Sequence, residues 1–367
     1  MVRGPATEAE RREWLSDWRS RLRSWYGRQD APPGWAAQQA EVSVSMFRSP
    51  GSELIALLAG EEDRERDSHR NRDSHGDSGL DRDSDRNRDS HGDSGLDRDS
   101  DRSRDSHGDS GLDRDSDRSR DGDSATGMLA VSLLEQNGTT DAMLCDLWIA
   151  PAHRGTGHGA RALRLAEEWA RAHRAGSLWM LTDPGDPAHA ALFARYPTRA
   201  QRMISKPDGP GELAAGLEGR PMAAAEYAAW RAGEERGYAA DATDSGSMSA
   251  DEATAAAAAE FDRLLPDGLR TPGHSFLCLC SGGEVVATNW LLHHRDPGVS
   301  WVYAVQVREQ FRGRGYGRAA MVIGERAALG AGDTHVALNV FGHNHVAIVL
   351  YSSMGYRAYD HGRSLDL

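Results

Sequence analysis

The 367-residue sequence predicts an α/β (α+β) fold that is built twice along the chain. A glycine-rich stretch, "AHRGTGHGARAL" at 152–163, recurs as "REQFRGRGYGRAAM" at 308–321, and each copy lies between a strand pattern and a helix pattern. Between the copies, "KPDGPGELAAG" (206–216) has the Pro, Gly and small residues of a linker. Within the second half, a meander of strands is followed by a helix that crosses over to the next strand. This pattern is typical of a mixed, mostly antiparallel sheet.

The first half opens with a helix, because six apolar residues form one stripe at a spacing near 3.6, namely Trp14, Leu15, Trp18, Leu22, Trp25 and Tyr26. We expect this stripe to pack on its own domain. The apolar runs "SELIALLAG" and "GMLAVSLLEQNG" predict neighbouring strands. Further elements are a buried strand at 141–151, the first glycine cluster, a helix to about Ala175, the strand "SLWMLTD" and a short helix from about Asp186.

The segment 61–126 separates those two runs and repeats with a period of 16, as in "RDSHGDSGLDRDSDRS" at 88 and 104. Each unit carries one sizeable apolar residue, Leu80, Leu96 or Leu112, which cannot offset the entropy of ordering. We therefore interpret it as a disordered insertion in a loop. A calcium-binding repeat is the alternative, although such repeats use a shorter period with Gly-Gly turns.

The second half predicts a strand "LEGRPM", two helices, a hairpin and a further strand before the second glycine cluster. Ser249 and Glu252 form a capping box for the second helix. A Gly-Gly turn predicts the hairpin, in which Cys278 and Cys280 are expected to pack as small apolar groups. After the cluster we expect a helix to about Leu329, the strand "HVALNVFG", the helix "NHVAIVLYSSM" and a terminal strand.

Composition excludes several classes of protein. No run approaches the roughly 18 apolar residues of a membrane span and the start is charged, so we expect a cytoplasmic protein without a membrane partner. Three cysteines without metal-ligand spacing predict neither a disulfide framework nor a metal site. The net charge of −13 lies mostly in residues 61–124, which hold 22 acidic and 13 basic side chains.

The second glycine cluster predicts a site for a phosphorylated ligand. A strand that enters a helix through glycines leaves the first helical N–H groups without acceptors, at the positive end of the helix dipole. Gly313, Gly315 and Gly317 allow close approach of a phosphate, and three arginines surround them, Arg312, Arg314 and Arg318.

Three other phosphate-binding or nucleic-acid-binding motifs are weaker matches. A Walker loop needs a lysine that is absent here. Both clusters match the GxGxxA pattern of a dinucleotide-binding loop. In that fold, however, the loop follows the first strand, and an acidic residue is needed after the next strand. Only the first copy has such an acid, Asp183. An arginine-glycine tract that binds RNA would need repeated motifs in a disordered setting, so we expect no nucleic-acid partner.

The two motifs of the second half together resemble the GNAT superfamily of acetyl-CoA-dependent N-acetyltransferases. The family's pyrophosphate loop is matched by Arg312, Gly315 and Gly317. Its downstream motif is matched, at the family's spacing, by Asn344, Ala347, Leu350, Tyr351, Gly355 and Tyr356. The resemblance is close over 219–367 and implies a sheet that splays beside the cofactor.

The resemblance also implies roles for individual residues. The backbone at Val305 and Val307 would pair with the pantetheine arm of acetyl-CoA, and the sheet would splay between that strand and the strand of Asn339. Residues 312–318, Tyr316 included, would hold the diphosphate, and Asn344, also a helix N-cap, would contact the cofactor. Tyr351 would stabilise the departing thiolate, by a hydrogen bond rather than full proton transfer, which is uphill by roughly 2 kcal/mol.

No general base is evident in the sequence. The strand "SWVYAVQV" offers Tyr303 and Gln306 where a carboxylate would be convenient, which leaves His293, His294 and Glu284 as candidates acting through a water. Four aromatic residues of the two preceding helices either line the acceptor pocket or form core, with core the expectation for most, namely Tyr227, Trp230, Tyr238 and Phe261.

The first half keeps the phosphate loop in Arg154, Gly155, Gly157 and Gly159 but departs from the second motif. Asp186, His189 and Phe193 stand where the family has Asn, Ala and Tyr. We therefore expect a degenerate domain at 1–206, a linker at 207–218 and a catalytic domain at 219–367. The expected function is acetyl transfer to an amine of a small molecule or a peptide N-terminus. The alternatives are a non-catalytic acetyl-CoA sensor and a nicotinamide-dependent oxidoreductase.

Overall fold

The computed structural model describes residues 2–47, 52–57, 126–136, 139–244 and 249–367. The interpretation of the 16-residue repeats as a disordered insertion concerns residues that lie outside these ranges, except for Thr126. Within the described ranges, no helix combines the length and the apolar composition that a bilayer crossing would require.

The described residues of the first half form six strands and four α-helices. The strands are β1 (Val2–Pro5), β2 (Glu53–Leu57), β3 (Gly127–Gln136), β4 (Thr139–Ile149), β5 (Ser177–Thr182) and β6 (Thr198–Ser205). The helices are α1 (Glu8–Gly27), α2 (Trp35–Phe47), α3 (His158–Ala172) and α4 (Pro187–Leu192). The strands β1 and β6 and the helix α2 were not predicted.

The second half repeats this count. Its strands are β7 (Leu217–Pro221), β8 (His274–Ser281), β9 (Glu284–Asp296), β10 (Val299–Val307), β11 (His335–Phe341) and β12 (Arg357–Asp366). Its helices are α5 (Ala224–Asp244), α6 (Ala250–Leu264), α7 (Tyr316–Gly330) and α8 (His345–Ser353). The capping box of Ser249 and Glu252 at the start of α6 is confirmed, and both Cys278 and Cys280 are buried on β8.

The twelve described strands form one sheet in the order β1-β2-β3-β4-β5-β12-β6-β11-β10-β9-β8-β7. Only β4 with β5 and β10 with β11 pair in parallel within the described chain, and the remaining pairs are antiparallel. The prediction of a mixed, mostly antiparallel sheet is therefore confirmed.

The two halves exchange their last strands. β12 pairs with β5 of the first half, from His361 opposite Thr182 to Asp366 opposite Ser177. β6 in turn pairs with β11 of the second half, and β6 and β12 lie side by side. Each half therefore depends on a strand that the other half contributes.

The stripe of aromatic residues on α1 is buried as the sequence predicts, but it covers more than its own half. Trp14, Trp18 and Tyr26 lie in a cluster with Trp301 of β10 and Tyr359 of β12. The same cluster holds Met128 and Ala130 of β3, so the helix packs on its own half as expected, and it also covers β12, which the strand exchange brings beneath α1.

An ion pair at the exchanged strands supports a prediction of stability. Arg202 of β6 donates from Nε to Asp360 Oδ1 of β12 at 2.9 Å, and the Asp360 side chain is fully buried. We expect Asp360→Asn to lower the free energy of unfolding by about 3–5 kcal/mol, because it leaves the arginine without its counter-charge. The matched control is Asp366→Asn on the same strand, whose pair with Arg199 is exposed and should cost below about 1 kcal/mol in urea unfolding. Equal costs for the two variants would contradict this prediction.

Candidate active site

A wedge opens between β10 and β11. The parallel pairing of these strands runs from Val299 opposite His335 to Val302 opposite Leu338, and no further residue pair follows. Beyond this point β10 stays with β9, and β11 stays with β6. The splayed sheet predicted by resemblance is therefore present, and one side of β10 faces an open gap.

Backbone groups of β10 point into this wedge. The N–H of Arg308 donates to the carbonyl of Val286 on β9 at 3.0 Å. Since alternate residues of an antiparallel strand face the same neighbour, the amide groups of Val305 and Val307 face away from β9, into the wedge. One of these groups is already used, because Arg312 Nε donates to the Val307 carbonyl at 3.3 Å.

The glycine loop turns the chain from β10 into α7 with two residues in the left-handed region. Gly313 has φ +76° and Gly315, the N-cap of α7, has φ +81°. A Cβ at either position would meet no atom within 4 Å, so backbone conformation rather than crowding requires glycine here. The loop is exposed, and the first amides of α7 lie at its end.

The arginines of this loop pair with no carboxylate among the described residues. Arg314 stacks on the ring of Phe311, with 5.7 Å from Cζ to the ring centroid. Arg318 donates to Ser353 Oγ of α8. The loop thus combines unpaired positive charge with exposed amides, which suits an anionic ligand. Tyr316, between them, donates its hydroxyl proton to Ser281 Oγ at 3.4 Å.

Gly317 allows α7 and α8 to approach each other closely. A Cβ on Gly317 would lie 3.1 Å from Leu350 Cδ2 and 3.8 Å from Val307 Cγ2. A side chain at position 317 would require a small shift of the Leu350 side chain, so glycine favours the close approach of the two helices.

Tyr351, the residue after Leu350, belongs to the same apolar cluster as Val305 of β10 and Leu338 of β11, the two strands that border the wedge. Burial raises the pKa of its phenol above the ordinary value of 10.0, so the phenol keeps its proton at neutral pH. No described residue accepts or donates a hydrogen bond at its hydroxyl. In contrast, the neighbouring Tyr356 donates to Glu325 Oε1 at 3.0 Å.

The two asparagines of the predicted site differ in position. Asn344 caps α8, since its Oδ1 accepts from the Ala347 N–H at 3.1 Å, and its side chain is exposed. Asn339 is exposed on β11 between the buried Leu338 and Val340, so its side chain lies on the opposite face of the sheet from theirs.

The structure does not bring the candidate bases of the sequence to the wedge. His293 uses both ring nitrogens on serine hydroxyls, Ser275 at 2.8 Å and Ser300 at 2.9 Å. The Nδ1 of His294 lies 2.6 Å from Asp333 Oδ1, at the end where β10 and β11 still pair. Glu284 is exposed at the first residue of β9, next to the hairpin turn.

The first half repeats the loop and the wedge. Arg154 Nε donates to the Ile149 carbonyl at 2.9 Å, as Arg312 does to Val307. Gly155 and Gly157 have φ +74° and +92°. The pairing of β4 with β5 likewise stops early, at Leu144 opposite Met180.

The wedge of the first half nevertheless lacks the chemical groups of the second. Phe193 occupies the motif position of Tyr351, but its buried ring carries no hydroxyl. His189 is also engaged, since its Nδ1 accepts a hydrogen bond from the Asp183 N–H at 2.9 Å. Asp186 caps α4 through its bond from the Ala188 N–H at 2.8 Å, as Asn344 caps α8.

Helix α1 fills the face of β4 beside that wedge. Trp14 Nε1 donates to Asp146 Oδ2 at 2.8 Å, and Arg21 pairs with the same carboxylate through both terminal nitrogens. Arg28 pairs with Asp183, the acid that a dinucleotide-binding loop would need for a ribose. Asp146 and Asp183 therefore both have partners within the protein, and neither carboxylate is free to bind a ligand.

Of the four aromatic residues considered for an acceptor pocket, Trp230 and Phe261 are core residues, 8% and 5% exposed. Tyr227 is half-buried beside them, and Tyr238 is 46% exposed. The preference for core is confirmed for Trp230 and Phe261.

Comparison with known proteins identifies the repeated unit. The model of the acetyltransferase (GNAT) family matches residues 81–196 and 241–356. The mycothiol acetyltransferase of Streptomyces bingchenggensis is 27% identical over 247 residues, which cover 64% of this chain and 75% of that protein. The mycothiol acetyltransferase of Kineococcus radiotolerans is 32% identical over 241 residues, covering 60% and 71%. The uncharacterized N-acetyltransferase YycN of Bacillus subtilis is 29% identical over 144 residues, covering 38% and 92%.

The two family matches together span more than half of the chain and contain both glycine loops. They agree with the resemblance that the two motifs of the second half carry. The chain therefore belongs to the GNAT family of acetyltransferases, as a member with two such domains in tandem.

Proposed function

We propose that the chain transfers the acetyl group of acetyl-CoA to a primary amine, and that the second half carries the reaction. The observation that supports this most directly is the wedge between β10 and β11, which has the glycine loop at one end and Tyr351 at its wall. A diphosphate at the amides of α7 and an extended arm along the amides of Val305 and Val307 would lead the thioester to that phenol.

Tyr351 acts on the sulfur in this proposal. When the neutral amine attacks the thioester carbonyl, the N–C bond forms, the C–S bond breaks, the nitrogen loses one proton to solvent, and the thiolate takes one proton from solvent. The phenol O–H hydrogen bonds to the departing thiolate, and its raised pKa keeps the proton available. The family's dependence on acetyl-CoA makes acetyl-CoA the donor to test first.

We propose that the first half binds no acceptor amine and that its corresponding face has a structural role. The contacts of α1 with Asp146 occupy the face from which an amine would reach the wedge, and Phe193 supplies no hydroxyl. A nicotinamide-dependent reaction is the weaker alternative, because Asp183 is paired with Arg28.

The acceptor is proposed to be a small molecule, because similar proteins are named mycothiol acetyltransferases; a peptide N-terminus is the second candidate. The test is thiol release from acetyl-CoA in the presence of glucosamine, alanine amide or an alanyl peptide. Acetylated product with any of them supports the proposal. Binding of acetyl-CoA without turnover across a broad amine panel would instead favour a sensor, and binding of a nicotinamide dinucleotide in its place would overturn the proposal.

A further inference from the structure

A row of hydrogen-bonded polar side chains crosses the sheet of the second half, at the end remote from the glycine loop. This polar row connects β8, β9, β10 and the turn between α7 and β11, and it consists of Ser275, His293, Ser300 and Asp333. Ser300 is the second residue of β10, whose other end leads to the glycine loop. The polar row is therefore separate from the wedge and takes no part in the reaction proposed above.

A β-bulge in β9 brings the members of the polar row together. The pairing of β9 with β10 shifts register here, so that residues 293–295 of β9 lie opposite Ser300 alone. His294, inside the bulge, has φ +51°, which is uncommon for residues other than glycine. Bulges redirect side chains and are frequent next to functional sites. This one lets His293 reach a hydroxyl group on each neighbouring strand.

Asp333 fixes the direction of the hydrogen bonds in the polar row. Its carboxylate is fully buried and accepts from the backbone N–H of His294 at 2.9 Å and from the Ser300 hydroxyl at 2.6 Å. Because Ser300 gives its hydroxyl proton to Asp333, its oxygen accepts from Nδ1–H of His293, at 2.9 Å. The neutral ring of His293 then carries no proton on Nε2.

Ser275 stands at the far end of the polar row. Its Oγ lies 2.8 Å from His293 Nε2, which has no proton, so the Ser275 hydroxyl donates to that nitrogen. Burial lowers the pKa of His293 below its ordinary value of 6.5, which keeps the ring neutral at pH 7. A serine hydroxyl that donates to a neutral imidazole, itself held in one tautomer, is the arrangement of a nucleophile with its general base.

The titratable groups that act electrostatically on His293 are Asp333, which raises its pKa, and His294, which lowers it. Both are engaged with each other, since Nδ1 of His294 lies 2.6 Å from Asp333 Oδ1. His274 of β8 is engaged as well, because its Nδ1 accepts from Trp290 Nε1 at 2.9 Å. His293 is thus the imidazole of this group whose unprotonated nitrogen meets a hydroxyl.

A small molecule can reach Ser275 from the edge of the sheet. Ser275 and His293 are half-buried, whereas the rest of the polar row is buried. Within the described chain, β7 pairs with β8 only from Leu277 to Ser281, so no strand flanks β8 at Ser275. The hydroxyl therefore combines partial exposure with a buried support.

We propose that Ser275 is the nucleophile of a second reactive site, which takes an acyl group from a small carboxylic ester. The Ser275 oxygen forms a bond to the ester carbonyl carbon, and its proton passes to His293 Nε2. The C–O bond to the leaving alcohol breaks, and that alcohol takes the proton. Water then attacks the acyl-serine with His293 as base, which releases the carboxylic acid and restores the Ser275 hydroxyl.

The test treats the full chain with a fluorophosphonate, which forms a P–O bond to an activated serine as fluoride leaves, and locates the adduct by peptide mass spectrometry. We expect Ser275 to react at least about 10²-fold faster than Ser281, because general base catalysis typically contributes that much. Ser281 is the matched control, since it lies on the same strand, is also half-buried and is bonded to Tyr316 instead of a histidine.

Variants test the two roles separately. His293→Gln should lower the rate of Ser275 labelling about 10²-fold, for the same reason. The wild-type rate should rise with pH through the pKa of His293, as the ring loses its second proton, and this rise should be absent in His293→Gln. Ser275→Ala should lower the hydrolysis of 4-nitrophenyl acetate at least about tenfold, because it removes the nucleophile.

Absent labelling of Ser275, or equal labelling of Ser275 and Ser281, would overturn the proposal. An unchanged rate in folded His293→Gln, or equal ester hydrolysis by the wild type and Ser275→Ala, would do the same. If His293→Gln does not fold, the comparison of the two serines in the wild-type chain decides. None of these measurements uses acetyl-CoA, so failure here is distinct from failure of the proposed acetyl transfer, which Ser275→Ala should leave unchanged.

Discussion

Replacement of Tyr351 by phenylalanine is expected to lower kcat by about 10²–10³-fold and to leave the KM for acetyl-CoA nearly unchanged. The hydroxyl has no partner among the described residues, so its loss removes no bond that holds the fold. The ring, which belongs to the apolar cluster that contains Val305 and Leu338, is retained. A group that stabilises charge only as the C–S bond breaks affects the chemical step and not the binding of the donor.

The matched control is Tyr356→Phe, which removes the neighbouring hydroxyl that donates to Glu325. That change strands a buried carboxylate and should lower stability, with a smaller effect on kcat. Steady-state kinetics with both substrates and urea unfolding of each variant separate the two outcomes. A Tyr351→Phe enzyme with wild-type kcat would remove the residue from the mechanism. A rise in KM without loss of kcat would assign it to binding instead.

Local patterns could predict the glycine loop and Tyr351, because their geometry is set within a few residues of the chain. A glycine at a left-handed position such as 315 needs only the turn from strand to helix, and the spacing from Asn344 to Tyr351 needs only the turns of α8. In the first half the sequence itself places phenylalanine at 193, and the structure adds that its ring is buried.

The strand exchange could not be predicted this way, since periodicity identifies a strand but not its partner. β6 is missed for a related reason: Arg199 and Arg202 interrupt any apolar run in "TRAQRMIS". Their charge is compensated by Asp366 and Asp360 of β12, which lie more than 150 residues away in sequence.

The glycine loops offer a comparison between the halves. Gly315 and Gly157 are both N-caps in the left-handed region, and a side chain at either one would meet no atom within 4 Å. Valine at either position should cost a similar strain, of the order of 1–2 kcal/mol, because a β-branched residue rarely adopts this conformation. Any difference in activity between the two variants therefore reports on ligand binding.

We expect Gly315→Val to lower kcat/KM for acetyl-CoA by at least about 10²-fold and Gly157→Val to leave it within about twofold. Valine would turn the first amides of α7 away from the diphosphate, and hydrogen bonds to a charged group contribute about 1.5–3 kcal/mol each. The loss of two such bonds accounts for the expected factor. Thermal unfolding of both variants should show similar destabilisation, so the kinetics rather than folding would separate them. Equal losses of activity would mean that both halves bind the donor productively, and a loss confined to Gly157→Val would place the reaction in the first half, despite Phe193.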